Sequence, residues 1–252
     1  MSTNDLITGA REGDINRMRR AFENGTSVDA RDKDGTSALL LATLQKQPEA
    51  VQFLLESQAD ANAQDRFGNF ALRWAASDGN EATVKLLLEH GADASMTTYT
   101  GRSALMEAAD QKHLTIVEIL LDSGAPVNAQ DTSNWTALSM AAFHHPLGGE
   151  DEEKTIAIIQ TLLDAGAQVD AQDNEGNTAL HNGVWSESAA AVRTLLDNGA
   201  DPTLVNHQGE TPEDMARGEV KRVLVAHRER IELRLVAGVG GEEPMQRSGR
   251  RM

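Results

Sequence analysis

An all-α solenoid of stacked helix-turn-helix units, linked by turn-rich fingers, is the fold this sequence predicts, and three observations predict it. A short motif recurs as Asp34-Gly35-Thr36-Ser37-Ala38-Leu39, Phe67-Gly68-Asn69-Phe70-Ala71-Leu72, Thr100-Gly101-Arg102-Ser103-Ala104-Leu105, Ser133-Asn134-Trp135-Thr136-Ala137-Leu138, Glu175-Gly176-Asn177-Thr178-Ala179-Leu180 and Gln208-Gly209-Glu210-Thr211-Pro212. Successive copies begin 33, 33, 33, 42 and 33 residues apart. A second register, Leu54-Leu55, Leu87-Leu88, Leu120-Leu121, Leu162-Leu163 and Leu195-Leu196, keeps the same steps. Finally, 40% of the chain is hydrophobic but only 4% is aromatic, so burial must come from Leu, Ala, Val and Ile in many small helices.

Each unit can be read from its residues. Ser37, Ser103, Thr136, Thr178 and Thr211 are placed to cap a first helix through their hydroxyls, and the Ala-Leu that follows in the first four puts apolar groups on its packing face. Phe70 breaks the capping rule. A second helix, as in Glu81 to Leu88, has apolar residues at helical spacing and stops at Gly91, which tolerates a left-handed cap. One such pair cannot bury its own apolar face, so at least three must stack and the end units must differ. They do differ. The first unit, Leu6 to Asn24, has no leading finger and carries Arg17, Arg19 and Arg20. The last has Glu213 where most units have Leu, and its final helix, expected from Val220 to about Val236, is rich in Arg and Glu. Both ends read as polar caps of a single domain spanning 1–237, with 238–252 expected to be a disordered tail.

The step of 42 places nine extra residues in the fifth of seven units, between Ala142 and Ile156. The segment near 143–155 contains His144, His145, Pro146, Gly148, Gly149 and four successive acids, Glu150 to Glu153, and is expected to be a solvated loop between the two helices.

These motifs resemble the ankyrin repeats. Residues 4 to 236 follow that pattern, with Gly199-Ala200-Asp201 as the best local match and Gly91-Ala92-Asp93, Gly124-Ala125 and Gly166-Ala167 in the same role. Ala replaces the family's helix-opening Pro in all but the last unit, and its His survives in the first helices only as His181. The resemblance implies β-turn fingers, and a concave surface formed by finger tips and first helices, which binds another protein. It also gives His181 and His113 structural roles and makes Asn62 and Asn128 similar to positions that are hydroxylated in some ankyrin fingers.

Charge and composition narrow the function. The net charge of −16 is distributed unevenly: −19 over 51–216 and +4 over 217–252. The acidic body repels phosphate backbones, which excludes nucleic acid as its expected ligand and favours a partner with basic patches. At the basic end, Lys221, Arg222, Arg228, Arg230 and Arg234 alternate with Glu219, Glu229 and Glu232, the pattern of a solvated helix face. There is no cysteine and no run of 18 apolar residues, and the first residues lack a basic, then apolar, leader pattern. A soluble cytoplasmic monomer that binds neither membrane nor cofactor is expected.

No catalytic motif stands out. His144 and His145 beside the acids could ligate a metal, but adjacent histidines in a loop lack the spacing a fixed site needs, so no metal is expected. The recurring Asp32, Asp65, Asp131 and Asp173 read as turn formers, not as catalytic pairs. Six of the nine aromatic residues, Phe67, Trp74, Tyr99, Trp135, Phe143 and Trp185, fall in fingers or in or just after first helices. Phe22, Phe53 and Phe70 fall at framework positions. With Arg66 and Arg102, those six form the expected partner-binding set, centred on Trp74, Tyr99 and Trp135. The leading expectation is a non-enzymatic adaptor, scaffold or inhibitor. An accessory or immunity-type subunit of an enzyme, and a metal-binding or enzymatic activity at the insertion, are the alternatives.

Overall fold

The computed structural model describes residues 2–143 and 152–239. His144 to Asp151 and the tail from residue 240 lie outside the described residues. Among the described residues, fourteen helices form seven pairs: α1 (Ser2–Glu12) with α2 (Ile15–Glu23), α3 (Ala38–Leu44) with α4 (Pro48–Glu56), α5 (Ala71–Ser77) with α6 (Glu81–Glu89), and α7 (Ala104–Asp110) with α8 (Leu114–Asp122). Then come α9 (Ala137–Ala142) with α10 (Glu152–Asp164), α11 (Ala179–Trp185) with α12 (Ala189–Asp197), and α13 (Pro212–Met215) with α14 (Gly218–Val239). Each first helix packs on the next first helix and each second helix on the next second helix, so the core runs as one ribbon from Leu6 to Leu224. Among the described residues there is no strand; extended pairing is limited to isolated bridges, Arg31 with Ser37 and Thr97 with Ser103.

The helix starts follow from the hydroxyls. Ser37, Ser103, Thr136, Thr178 and Thr211 each accept the backbone N–H three residues on. Phe70 caps nothing; its ring is fully buried instead. Four of the six fingers are set by one acid apiece, and Thr98 and Asn206 stand in its place in the other two. A single Oδ1 of Asp32, Asp65, Asp131 and Asp173 accepts the N–H groups two and four residues ahead at 2.8–2.9 Å, and Asn206 does the same at 3.0 Å. A second set of Asx side chains braces unit to unit. Asp29 and Asp170 accept the N–H of Asp60 and Asp201. Asn62 and Asn128 accept from Asp93 and Gln168 while donating to the Gly91 and Gly166 carbonyls.

His181 ties unit six to unit seven. Its Nδ1 accepts the Thr178 N–H at 3.2 Å and its Nε2 donates to the Glu210 carbonyl at 3.2 Å, an arrangement that needs a neutral ring. His113 bonds back to the Ser77 carbonyl at 3.3 Å.

Two helices depart from the nine-residue second helix seen in most units. In α10, Glu152 to Thr155 form an extra turn ahead of the usual start, so the acidic end of the insertion is helical where a loop was expected; Glu152 and Glu153 are exposed and Thr155 is buried. Acids in a first helical turn sit favourably against the helix dipole. In α14 the helix spans 22 residues, from two residues before the expected Val220 to three beyond Val236. Gly199, which ends α12, corresponds one 33-residue step later to Glu232, so the stop signal is missing.

Two predictions follow from this packing. Leu120 is fully buried between helix layers, so Leu120→Ala should lower unfolding free energy by roughly 2–5 kcal/mol in a urea titration. Burial holds the His181 pKa below its ordinary value, outweighing the opposing pull of Glu210 and Asp173. The unfolded state then takes up the proton first, so this contribution is full above about pH 6.5 and is lost as pH falls through the folded pKa. Tm measured between neutral and mildly acidic pH should fall more steeply for wild type than for His181→Gln.

Candidate functional site

Three columns of side chains, one set per unit, line the face made by the fingers and first helices. The finger-base column runs Thr36, Asn69, Arg102, Trp135, Asn177, Glu210. The mid-helix column runs Leu41, Trp74, Glu107, Met140, Asn182, Met215. The helix-end column runs Leu44, Ser77, Asp110, Phe143, Trp185 once the insertion is discounted. Unit five therefore carries Trp135, the buried Met140 and Phe143 in one row, with Trp185 beside Phe143 in the next.

Those rings touch. Trp135 meets Phe143 edge-on with centroids 5.2 Å apart, and Phe143 stacks on Trp185 at 4.6 Å and 16°. Trp185 is 49% exposed, while Phe143 and Trp135 are half-buried, Trp135 resting on the core. Phe143 stands in an extended conformation directly after α9, as Ala216 does after α13, whereas α3, α5, α7 and α11 turn straight towards their second helices.

The neighbouring unit presents charge. Glu107, 5% exposed, accepts from Arg73 at 2.6 Å and from Arg102 at 3.2 Å, and Arg102 reaches Asp110 at 3.5 Å. Arg73 also donates to Asn69 at 2.8 Å and lies over the Trp74 ring at 4.6 Å. Its buried Nε has no hydrogen-bond partner, and the stacking contact offsets only part of that cost. Beside this network Lys112 sends its ammonium under unit five, donating to the Met140 and Ala141 carbonyls at 3.3 and 2.8 Å. The side chain is buried, and its charge faces the carboxyl end of α9, where helix carbonyls lack partners. Ser186 donates to Ala142 at 3.2 Å from the other side.

The remaining expected residues lie at the finger tips. Phe67 is 58% exposed and Tyr99 68% exposed. Arg66 stacks over Phe67 at 4.7 Å and pairs with Asp34 at 2.9 Å. Tyr99 packs over Gly68, where a Cβ would fall 2.6 Å from the Tyr99 nitrogen; with φ at +78° that position admits only glycine. The expected centre of Trp74, Tyr99 and Trp135 is thus divided. Among the described residues Trp74 and Tyr99 make no ring-to-ring contact, and Trp135 belongs with Phe143 and Trp185. Arg73 shares the stretch of Arg66 and Arg102 that the sequence marks as interface-like, but its pairing with Glu107 was not expected, and neither were Glu107 and Lys112 themselves. Their signals were an acid in the middle of the small-residue helix Ala-Leu-Met-Glu-Ala-Ala-Asp, an Arg in the register of His181, and a Lys in that of Gly79.

Among the described residues no cluster of three His, Asp or Glu could hold a metal, and no helix is long and apolar enough to cross a membrane. His144 and His145 lie outside the described residues.

Stacked helix pairs with a variable inner face define a repeat-type binding scaffold. Ankyrin repeats (3 copies) match residues 6–98, 47–131, 75–173 and 124–206, and the chain belongs to the ankyrin-repeat family. It is similar to the ankyrin repeat domain of Bcl-3, a member of the IkappaB protein family, at 28% identity and TM-score 0.71, covering 87% of this chain and 97% of that one. It is similar to the human ASB11 ankyrin repeat domain at 25% identity and TM-score 0.74, covering 88% and 96%. An ankyrin repeat domain from Acinetobacter baumannii AYE gives 32% identity and TM-score 0.70, covering 78% and 98%. No curated protein sequence matches the chain. Ankyrin repeats are generally protein-protein interaction modules and typically non-enzymatic.

The charge network yields a prediction. Glu107→Ala leaves two guanidinium groups crowded together without their shared acceptor, and should cost roughly 3 kcal/mol of unfolding free energy in denaturant titration. Glu107→Gln keeps the shape and an acceptor, and should cost less.

Proposed function

We propose that the chain is a non-enzymatic adaptor or inhibitor that recognises a protein partner on its finger and first-helix face, with Trp135, Phe143 and Trp185 as the anchor. The observation that carries this reading is the contact of those three rings at a half-exposed site on neighbouring units. Flat rings already stacked on one another have few rotamers left to freeze, so they gain apolar burial on binding at low entropic cost. Phe67, Tyr99 and Arg66 at the finger tips and Trp74 on the inner face extend the contact surface. Arg102 is engaged with Glu107 and Asp110 and serves chiefly to hold that surface in place.

The acidic body steers a partner with basic patches towards this face, which makes association faster at low salt. The direct contact is apolar, because the charges of unit four are internally compensated. Steering and anchoring are therefore separable: added salt slows association and leaves dissociation nearly unchanged.

Affinity capture on the immobilised chain with mass spectrometry, run in parallel on wild type and Trp185→Ala, tests the reading. A partner retained by wild type should bind Trp185→Ala or Phe143→Ala roughly 1–4 kcal/mol more weakly, with Tm within a few degrees of wild type. Equal retention by folded variants would remove the ring cluster from the interface.

A further inference from the structure

The second-helix side of the last two units carries a continuous groove, on the other side of the helix pairs from the aromatic rings. Its first part encloses about 600 Å³ between α12 and α14 and is lined by Arg193, Leu196, Glu219, Arg222, Val223 and Ala226, among others. Its second part, about 450 Å³, shares Leu196, Asp197, His227 and Arg230 with the first and continues past Ala200 and Pro202 to Ile231 and Arg234. The α14 wall is therefore Glu219, Arg222, Val223, Ala226, His227, Arg230, Ile231 and Arg234, one unbroken stripe at helical spacing over roughly 22 Å, with its one acid at the amino-terminal end. The second half of that stripe exists because α14 does not stop where a second helix normally does. With Glu232 in the register of Gly199, the helix continues alongside the turn that follows α12.

The groove combines an apolar floor with a cationic rim. Val223 packs on the core but is half-buried, Ala226 is exposed and Ile231 is 41% exposed, so an occupant would gain apolar burial at these positions, with Leu196, 4% exposed, closing the floor beneath them. Arg193, Arg222, Arg230 and Arg234 line the rim against two acids. Arg193 pairs with Glu219 and Arg230 with Asp197, each at 3.1 Å, while Arg222 and Arg234 pair with no carboxylate among the described residues. Exposed pairs of that kind exchange readily for a better acceptor. Desolvation and the charge of Arg230 both push the His227 pKa down against the opposing pull of Asp197, in keeping with a positive local field. This site lies on a chain whose preceding segment, 51–216, carries a net −19.

We propose that this groove is a second docking site, which takes an acidic amphipathic segment of a protein, with its apolar side on Leu196, Val223 and Ile231 and its carboxylates on Arg222, Arg230 and Arg234. Charge complementarity selects the occupant. A basic segment would meet four guanidinium groups, and a nucleic acid would leave the apolar floor unused while its phosphates faced the acidic body. The site is independent of whatever the aromatic face binds, so an occupant here and a partner there can be held at once.

The test uses the full chain and a fluorescent synthetic peptide of Glu and Leu at helical spacing, about four turns long, followed by anisotropy at physiological salt. The peptide should bind in the micromolar range, and a scrambled peptide of the same composition at least about tenfold more weakly, because only the ordered spacing presents both an apolar and an acidic side. Arg222→Glu, which breaks no ion pair seen among the described residues, should weaken binding about tenfold. Arg222→Glu with Arg230→Glu should weaken it further and allow a Lys-Leu peptide of the same pattern to bind. Ile231→Ala should cost about threefold by removing apolar contact. Tm is measured on every variant, and Arg222→Glu serves as the decisive one if the double variant is unfolded. The proposal is overturned if wild type ignores the peptide, if the scrambled peptide or single-stranded DNA binds as tightly, or if folded Arg222→Glu binds like wild type.

Discussion

Every helix pair leaves one face of Leu, Ile, Val and Ala bare, and only the next pair can cover it. The rest of the structure answers that constraint. Small residues recur at the first-helix contact, as in Ala75-Ala76, Ala108-Ala109 and Ala141-Ala142, because adjacent first helices approach too closely for larger ones. Fully buried leucines and valines such as Leu54, Val84, Leu87 and Leu120 fill the wider space under the second helices. A core made this way has little room for rings. The exceptions lie where the pattern changes: Phe22 stacks on Phe53 at 5.6 Å near the first units, and Phe70 replaces a capping hydroxyl. Of the other six aromatic residues Trp135 alone rests on that core, and the positions of these six carry information that the leucines do not.

The same logic reinterprets the acidity of the body. Many of its carboxylates are spent on architecture: Asp65, Asp131 and Asp173 close their own fingers, and Asp170 braces a neighbouring unit. Hydrogen bonds from Ser95 and Thr203 hold the Asp93 and Asp201 carboxyls below the ordinary range, so these groups stay charged while serving the turns. Part of the long-range field is thus a by-product of turn chemistry repeated along the stack. The inner face differs, since Glu107 and Asp110 there are already matched by Arg73 and Arg102. A chain can in this way be strongly acidic as a whole and still bind through apolar contact.

Periodicity made the architecture legible. The two registers fixed the helix pairs, the capping hydroxyls marked first-helix starts, and the missing finger and polar last helix marked the ends. What escaped was contact between residues in unlike registers or at interrupted ones. Phe143 and Trp185 are 42 residues apart, and only when the insertion is discounted do they align as successive members of one column. Counting aromatics placed both on the finger and first-helix face but not against each other, and put the emphasis on Trp74, Tyr99 and Trp135, of which the first two have no ring neighbours among the described residues. Arg73 and Glu107, 34 residues apart, escaped for a related reason: buried ion pairs between adjacent columns have no period of their own. The two extended helices were hidden by composition. Glu152 and Glu153 read as loop because acids favour solvent, although acids also suit a first helical turn. The alternating Arg and Glu of α14 concealed a stripe that only the groove against α12 brings out.

The inner face owes its shape to side chains that belong to both the stack and the surface. Lys112 reaches from unit four beneath the carboxyl end of α9, and Ser186 approaches the same helix end from unit six, so the helix that carries Met140 and leads into Phe143 is held from both sides. Arg73 and Arg102, from successive units, converge on one carboxylate and fix the row next to the rings. A finger-and-helix surface made only of independent units would let neighbouring rows shift, and a partner would have to order them on binding. Cross-unit bonds at this point meet that ordering cost during folding rather than on binding. The insertion enters the chain at the same place, directly after Phe143, where the helix end it opens is already occupied by groups from the units on either side. The stack can therefore absorb nine extra residues there without losing register in the second helices that follow, as the alignment of Leu162-Leu163 with Leu195-Leu196 shows.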